Sequence, residues 1–282
     1  MGAFPSHRSM PTARRTQNSS SRSRLAAPAM TSYPPLCRVV IDVREVGEPS
    51  LYALRLRLIG DTLRRYLELF RSRRVLVGVA TRARALDSVG DQSCPPLPTP
   101  SDLAIPCPDA LLASPDVARC ALGGDVDYLL QPTRSLGNGG RGSNQRVVRV
   151  EAVSTSISGA VAGSAVGIDP AALRLALLRV TPAQVFVLSA ARLHRAEETL
   201  QRWRYKVAMW ADMPGAPPVE PVVNAARESL AAPTLDTGAV LTSLHRLEAA
   251  PAVASGSKFE TFAFLDRVLG LDLTHLVGKL RR

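Results

Sequence analysis

The sequence predicts an α/β layer followed by an α-helical bundle, and three observations support this prediction. Two short β-branched segments, 38–43 and 75–79, flank an amphipathic stretch of about 20 residues, the order of a right-handed β-α-β unit with parallel strands. From residue 167 onwards, apolar residues recur at helical spacing. A chain of 282 residues, 46% of them hydrophobic, can bury one large core or two smaller ones. We therefore expect the layer over 37–166 and the bundle over 167–282.

The segment that precedes the layer differs from the rest in composition. The formal net charge is +11, yet residues 1–41 hold six arginines and no acidic residue, because Asp42 is the first. This Ser-rich segment lacks periodicity and predicts a disordered basic tail over 1–36. Such a tail could be a nucleic-acid-binding arm, a transit peptide, or an extension upstream of a true start at Met30.

Within the predicted layer, the strand signals are separated by one clear helix and several loops. The helix spans Leu51–Phe70, with apolar residues on one face and arginines around it. Seven prolines between 91 and 118 predict irregular structure, apart from a turn of helix at 109–113. Residues 135–144 read SLGNGGRGSN and predict a glycine loop, and 147–153 is a third candidate strand.

The predicted bundle begins with two helices joined by a proline turn. Asp169 and Pro170 form a helix start, and Thr181-Pro182 ends that helix. The second helix opens at about Ser189 and stops near 213. Trp203 and Trp210 lie on its apolar stripe, which favours core packing over base stacking. Further helices are expected over 222–231, 237–249 and 258–269.

Two of these helical stretches carry a resemblance to a known family. Residues 61–68, DTLRRYLE, resemble the helix that follows the HIGH signature in cysteinyl-tRNA synthetases. Residues 167–178, GIDPAALRLALL, are similar to the stretch after their KMSKS loop, and 201–204 and 235–237 also match. The resemblance covers about half of the chain, mostly 50–80 and 165–248, and extends to the mycothiol-pathway cysteine ligase. It implies a reduced Rossmann-like, class I synthetase-type layer, with ATP-dependent activation of cysteine and its transfer to tRNA.

The signature positions themselves depart from the family. The HIGH position falls on 50–53, which contains neither histidine nor glycine. Two stretches could stand for KMSKS: 132–138, with Arg134 in place of the lysine, and 153–159, with Thr155 in that place. The nucleotide-binding candidates are accordingly Arg134, Ser135, Gly137, Asn138, Ser154 and Ser156. ATP is the cofactor that the resemblance implies, no catalytic residue is assigned, and zinc is doubtful because no thiol ligand set is matched.

Other candidate sites each have a plainer structural alternative. The arginines of 55–74 could bind a phosphate backbone, with Arg57, Arg64 and Arg65 as candidates, or could form a solvated helix face. Cys107 and Cys120, with Asp125 or Asp127, could hold a metal or be unpaired thiols. The glycine loop 137–142 with Arg141 could cradle a phosphate or act as a linker.

The sequence as a whole therefore predicts a degenerate cysteinyl-tRNA synthetase-like protein whose activity is weak or lost. A non-catalytic RNA-binding module and a cysteine ligase acting on a small amine are the alternatives. The partners implied are tRNA and cysteine. No apolar run approaches the roughly 20 residues of a membrane span, and four cysteines without a C-x-x-C pair predict a reduced, cytoplasmic protein.

Overall fold

The computed structural model describes residues 34–82, 98–134, 145–155, 169–231 and 233–280. The strands are β1 Leu36–Asp42, β2 Arg74–Ala80, β3 Ala110–Leu112, β4 Tyr128–Pro132, β5 Arg146–Val150, β6 Val153–Thr155 and β7 Phe186–Leu188. The α-helices are α1 Leu51–Arg71, α2 Ala118–Ala121, α3 Pro170–Leu177, α4 Ala190–Ala211, α5 Glu220–Ser229, α6 Thr237–Ala249 and α7 Ser255–Leu269, and a 3₁₀ turn spans Pro115–Val117. The predicted α/β layer followed by helices is confirmed. The predicted boundary between 166 and 167 lies outside the described residues, as does most of the predicted tail.

Five strands form one parallel sheet in the order β3-β2-β1-β4-β5. The ladder between β1 and β2 runs from Leu36 opposite Arg74 to Asp42 opposite Ala80. The ladder between β4 and β5 runs from Tyr128 opposite Arg146 to Pro132 opposite Val150. The strand order reverses between β1 and β4, which is the Rossmann-like arrangement with its switch point at that place.

Helix α1 covers one face of this sheet. Ser50 caps its start by accepting a hydrogen bond from the Ala53 N–H, and Ser72 ends it in a left-handed conformation. Gly60 lies against Ile41, where a Cβ atom would come within 2.3 Å of the Ile41 side chain, so this helix position requires glycine. The core on this face is continuous with the core of the helical part. A smaller apolar cluster, which includes Leu112 and Leu122, covers the other face.

Three strands, β3, β4 and β7, lie where the sequence predicts none. Residues 109–113 do not form the expected turn of helix, because 110–112 pair with β2 as β3. Asp109 accepts a hydrogen bond from the Val77 N–H, and Leu112 is buried, so three residues suffice for an edge strand despite the nearby prolines. Strand β4 was also missed. The third candidate strand, 147–153, is interrupted after Val150, and β6 pairs with β7 in a separate two-stranded sheet.

The helical part forms much as predicted. Asp169 caps α3 by accepting from the Ala171 N–H, and Ser189 caps α4 by accepting from the Arg192 N–H. Trp203 is fully buried and meets Phe262 edge to face at 5.5 Å between ring centroids. Core packing of this tryptophan is thereby confirmed. Among the described residues, no helix has both the length and the apolar character needed to cross a membrane.

Three side chains of α4 lie within hydrogen-bonding distance of the carboxylate of Glu248, at the end of α6. Its carboxylate accepts from Arg202 Nε at 2.9 Å and from Trp203 Nε1 at 2.8 Å, and Lys206 Nζ lies 2.8 Å away. Burial alone would raise the pKa of Glu248, but the hydrogen bonds from Arg202, Lys206 and Trp203 lower it to about 2. The ionised carboxylate therefore stabilises the α4–α6 contact.

We predict that Glu248→Gln lowers the free energy of unfolding at pH 7. Because the pKa of about 2 in the folded protein lies below that of the unfolded chain, the stabilisation is fully present above about pH 4.5 and is lost as the pH falls towards 2. Urea unfolding of both proteins at pH 7, 5 and 3.5 measures the difference. Glu198→Gln is the control, since this carboxylate is exposed and pairs only with His194 in a surface contact. A difference that does not shrink at low pH, or an equal loss in the control, would contradict this account.

Candidate functional site

The switch point between β1 and β4 is the first place to look for a ligand site. In open α/β sheets, ligands bind in the crevice outside the carboxyl ends of the strands where the strand order reverses. Here the loop 43–50 leaves β1 and leads into α1, and Thr133 and Arg134 follow β4. These two segments define the crevice in the described residues.

The β1 side of the crevice is lined by carboxylates that already have cationic partners. Asp42, the last residue of β1, is buried, and its Oδ2 lies 2.9 Å from Arg44 Nη2. Glu48 accepts from Arg57 Nε at 2.7 Å and from Thr81 Oγ1 at 3.2 Å. These ion pairs neutralise Arg44 and Arg57 on this side of the crevice.

The polar side chains at the predicted HIGH position, 50–53, hydrogen-bond to backbone groups of the chain. Ser50 Oγ accepts from the Ala53 N–H at 3.1 Å and donates to the Gly47 carbonyl at 2.8 Å. The Tyr52 hydroxyl donates to the Val150 carbonyl at 2.6 Å, which ties α1 to the end of β5. Burial raises the pKa of the Tyr52 phenol, so the hydroxyl stays protonated. The polar side chains here are therefore committed to backbone groups of this chain.

The β4 side of the crevice holds one buried hydroxyl without a partner among the described residues, Thr133 Oγ1. Its backbone N–H donates to the Val150 carbonyl at 3.1 Å, so the hydroxyl is held in place. Arg134, the next residue, is exposed at the same edge of the sheet. Sequence reasoning did not single out Thr133, because β4, which positions it, was not recognised.

The remaining nucleotide-binding candidates fall in different places. Ser154 is exposed in β6, in the second sheet rather than at a strand end of the first. Ser135, Gly137, Asn138 and Ser156 lie outside the described residues, as does Arg141. Of the predicted set, only Arg134 is thus placed at the switch point, and the assignment of all six to a nucleotide stays a prediction.

The three candidate RNA-binding arginines of α1 are all engaged in ion pairs. Arg57 pairs with Glu48 at 2.6 Å, and Arg64 pairs with Asp61 and Glu68 at 2.7 and 2.9 Å. Arg65 pairs with Asp61 at 2.8 Å and donates to two backbone carbonyls, of Ala104 and Arg267. A phosphate would have to compete with these partners, so RNA binding by this face stays a prediction.

The two stretches that carry the family resemblance meet in a buried ion pair. Asp61 Oδ2 lies 2.7 Å from Arg174 Nη2, and the Arg174 side chain is fully buried. The same guanidinium donates to the carbonyls of Leu103 and Leu269 at 2.7 and 2.5 Å. Burial alone would raise the pKa of Asp61, but Arg174 and Arg65 lower it below its usual range. The pair therefore joins the layer to the helical part as ionised groups.

The cysteines show different surroundings but no shared site. Cys107 and Cys120 are exposed, whereas Cys37 is buried, and burial together with the Asp127 carboxylate raises its pKa to about 12. Within the described ranges, no three His, Cys, Asp or Glu residues converge in a way that could hold a metal ion. Zinc accordingly has no set of donors in this part of the chain.

No protein-family model matches the chain, and no curated protein matches it. Among solved structures, the chain is similar to a putative arginyl-tRNA synthetase from Campylobacter jejuni, with a TM-score of 0.47 and 10% identity. This similarity covers 86% of the present chain and 91% of that one.

We predict that Asp61→Asn lowers the free energy of unfolding by about 3–5 kcal/mol, since it leaves Arg174 buried without its anionic partner. Glu68→Gln is the matched control, because it removes a more exposed carboxylate from the same helix and from the pair with Arg64. It should cost no more than about 1 kcal/mol. Urea unfolding at pH 7 measures both values. Equal losses of unfolding free energy in the two variants would show that the buried ion pair contributes no more to stability than the exposed one.

Proposed function

We propose that this chain is a degenerate cysteinyl-tRNA synthetase-like protein in which cysteine activation is weak or lost. The resemblance at 61–68 and 167–178 supports the ancestry. The observation that carries the loss of activity is the engagement of Ser50 and Tyr52, at the HIGH position, with backbone groups of the chain itself.

Adenylate formation requires preorganised positive charge and donors aimed at the reacting phosphates. At this crevice, Arg44 and Arg57 are neutralised by Asp42 and Glu48. At the end of β4, the Arg134 guanidinium and the Thr133 hydroxyl are available to meet a phosphate. Together they can orient an anion at the end of β4, but they provide neither a histidine nor a lysine at the expected positions.

The test is cysteine-dependent ATP–pyrophosphate exchange by the full chain, with and without added zinc. We expect no exchange above a blank without cysteine, in a sample whose far-ultraviolet circular dichroism shows a folded protein. Arg134→Ala is assayed in parallel. Exchange that exceeds the blank and falls in this variant would overturn the proposed loss of activity and would assign Arg134 to the nucleotide. Product formation with tRNA or with small amines would then distinguish the two ligase alternatives.

A second candidate function is non-catalytic RNA binding, and a specific observation favours it. The amino ends of β2 and β5 carry exposed arginines for which the described structure shows no anionic partner, namely Arg73, Arg74 and Arg146. This distribution contrasts with the paired arginines of α1. Salt-sensitive binding of RNA by the full chain would support the candidate, since each phosphate contact releases counterions.

A further inference from the structure

The amino edge of the five-stranded sheet lies opposite to the crevice and is rich in arginine. Parallel strands begin at one edge, so the starts of β2, β1, β4 and β5 lie side by side in this order. Arg73 and Arg74 stand at the start of β2, and Arg146 stands at the start of β5. Three strand spacings of about 4.8 Å place these two groups about 14 Å apart along the edge.

A cavity of about 340 Å³ opens between Arg73 and Arg146, with Cys37, Leu67, Asp127 and Tyr128 as its other lining residues. Arg146 Nη1 donates to the Tyr128 hydroxyl at 2.8 Å, and its guanidinium lies 5.6 Å from the centre of the Tyr128 ring. These contacts fix the Arg146 guanidinium while its other N–H groups remain for a ligand. Arg73 forms no hydrogen bond or ion pair through its side chain within the described residues.

The acidic groups at this edge are held by the backbone. Asp127 Oδ2 accepts from the Arg38 N–H at 2.8 Å, and Asp109 Oδ2 accepts from the Val77 N–H at 2.7 Å. The Cys37 thiol in the cavity is neutral at ordinary pH because burial and Asp127 raise its pKa to about 12. Arg74 adds a positive charge on the other face of the sheet, since it alternates with Val75, which faces α1. Asp127 and Asp109 keep their negative charges, so Arg73, Arg74 and Arg146 leave the edge with a small positive excess.

We propose that the amino edge binds the phosphodiester backbone of RNA, with one phosphate in the cavity between Arg73 and Arg146. Guanidinium groups suit this role because their N–H donors match phosphate oxygens. The proposal rests on the RNA-binding candidate and assigns it to a particular surface. The α1 face is the less suitable surface, because its arginines already have carboxylate partners at 2.6–2.9 Å. An extended, positively charged edge suits a single strand that follows it across β1 and β4.

The test measures binding of a fluorescently labelled 20-nucleotide single-stranded RNA of mixed sequence to the full chain at several salt concentrations. The variant is Arg73→Ala with Arg146→Ala. We expect about tenfold or greater weakening at 100 mM salt and a decrease of about 0.7 in the magnitude of the slope of log K against log salt, since the contact with one phosphate is lost.

The matched control is Arg195→Ala with Arg246→Ala, which removes the same charge from two exposed positions on α4 and α6. It should keep the slope of the unchanged protein and lose less than about twofold in affinity. The double variant Arg73→Lys with Arg146→Lys keeps both positive charges and should retain most of the affinity. If it does, the weakening in the alanine variant comes from the lost contact with phosphate and not from a loss of folding. Circular dichroism accompanies each variant.

The possible outcomes distinguish a wrong assignment of the binding surface from an absence of RNA binding. If the unchanged chain binds RNA and both alanine pairs weaken it equally, the assignment of the amino edge is overturned while RNA binding stands. If the unchanged chain does not bind RNA, both the surface and the RNA-binding candidate are overturned. Pyrophosphate exchange is independent of either result, so it tests the proposed loss of cysteine activation separately.

Discussion

The buried ion pair between Asp61 and Arg174 is the interaction on which the arrangement of this protein depends. A fully buried guanidinium needs acceptors for its N–H groups, and for Arg174 the Asp61 carboxylate and the carbonyls of Leu103 and Leu269 supply them. These partners come from α1, the segment before β3, and the end of α7. One side chain of α3 therefore joins three parts of the chain that are distant in sequence, and removing the Asp61 carboxylate would leave its charge uncompensated.

This ion pair gives the stretches 61–68 and 167–178 a structural role that does not depend on a bound ligand. Both resembling stretches, 61–68 and 167–178, contribute one partner to the pair, so they are needed for folding whether or not a nucleotide is bound. Arg55 has a similar role, since its fully buried guanidinium donates to the carbonyls of Glu151, Thr181 and Gln184. Such residues respond to packing, and Ser50 and Tyr52 likewise hydrogen-bond to backbone groups of the chain.

The sequence predicted those elements whose signals are local. Asp169 and Ser189 mark helix starts through their own side chains, and the apolar stripe through Trp203 needs only one helix to be recognised. Strand β4 has five residues and β3 has three, and both depend on pairing with distant strands. The ion pairs of Arg64 and Arg65 with Asp61 are predictable from the sequence, because spacings of three and four residues place these side chains on one face of a helix. The contact of Asp61 with Arg174 spans 113 residues, and no local pattern shows it.

The two edges of the sheet differ in charge in a way that bears on function. At the carboxyl edge, where the fold directs ligands, Arg44 and Arg57 are paired with Asp42 and Glu48, and Arg134 is exposed. At the amino edge, the carboxylates are instead held by backbone N–H groups, which leaves Arg73 and Arg146 free to meet an anion. Because a backbone N–H group can stabilise a carboxylate, that carboxylate does not need a guanidinium as its partner. The amino edge thus keeps arginines without carboxylate partners in a place that an extended RNA strand can reach.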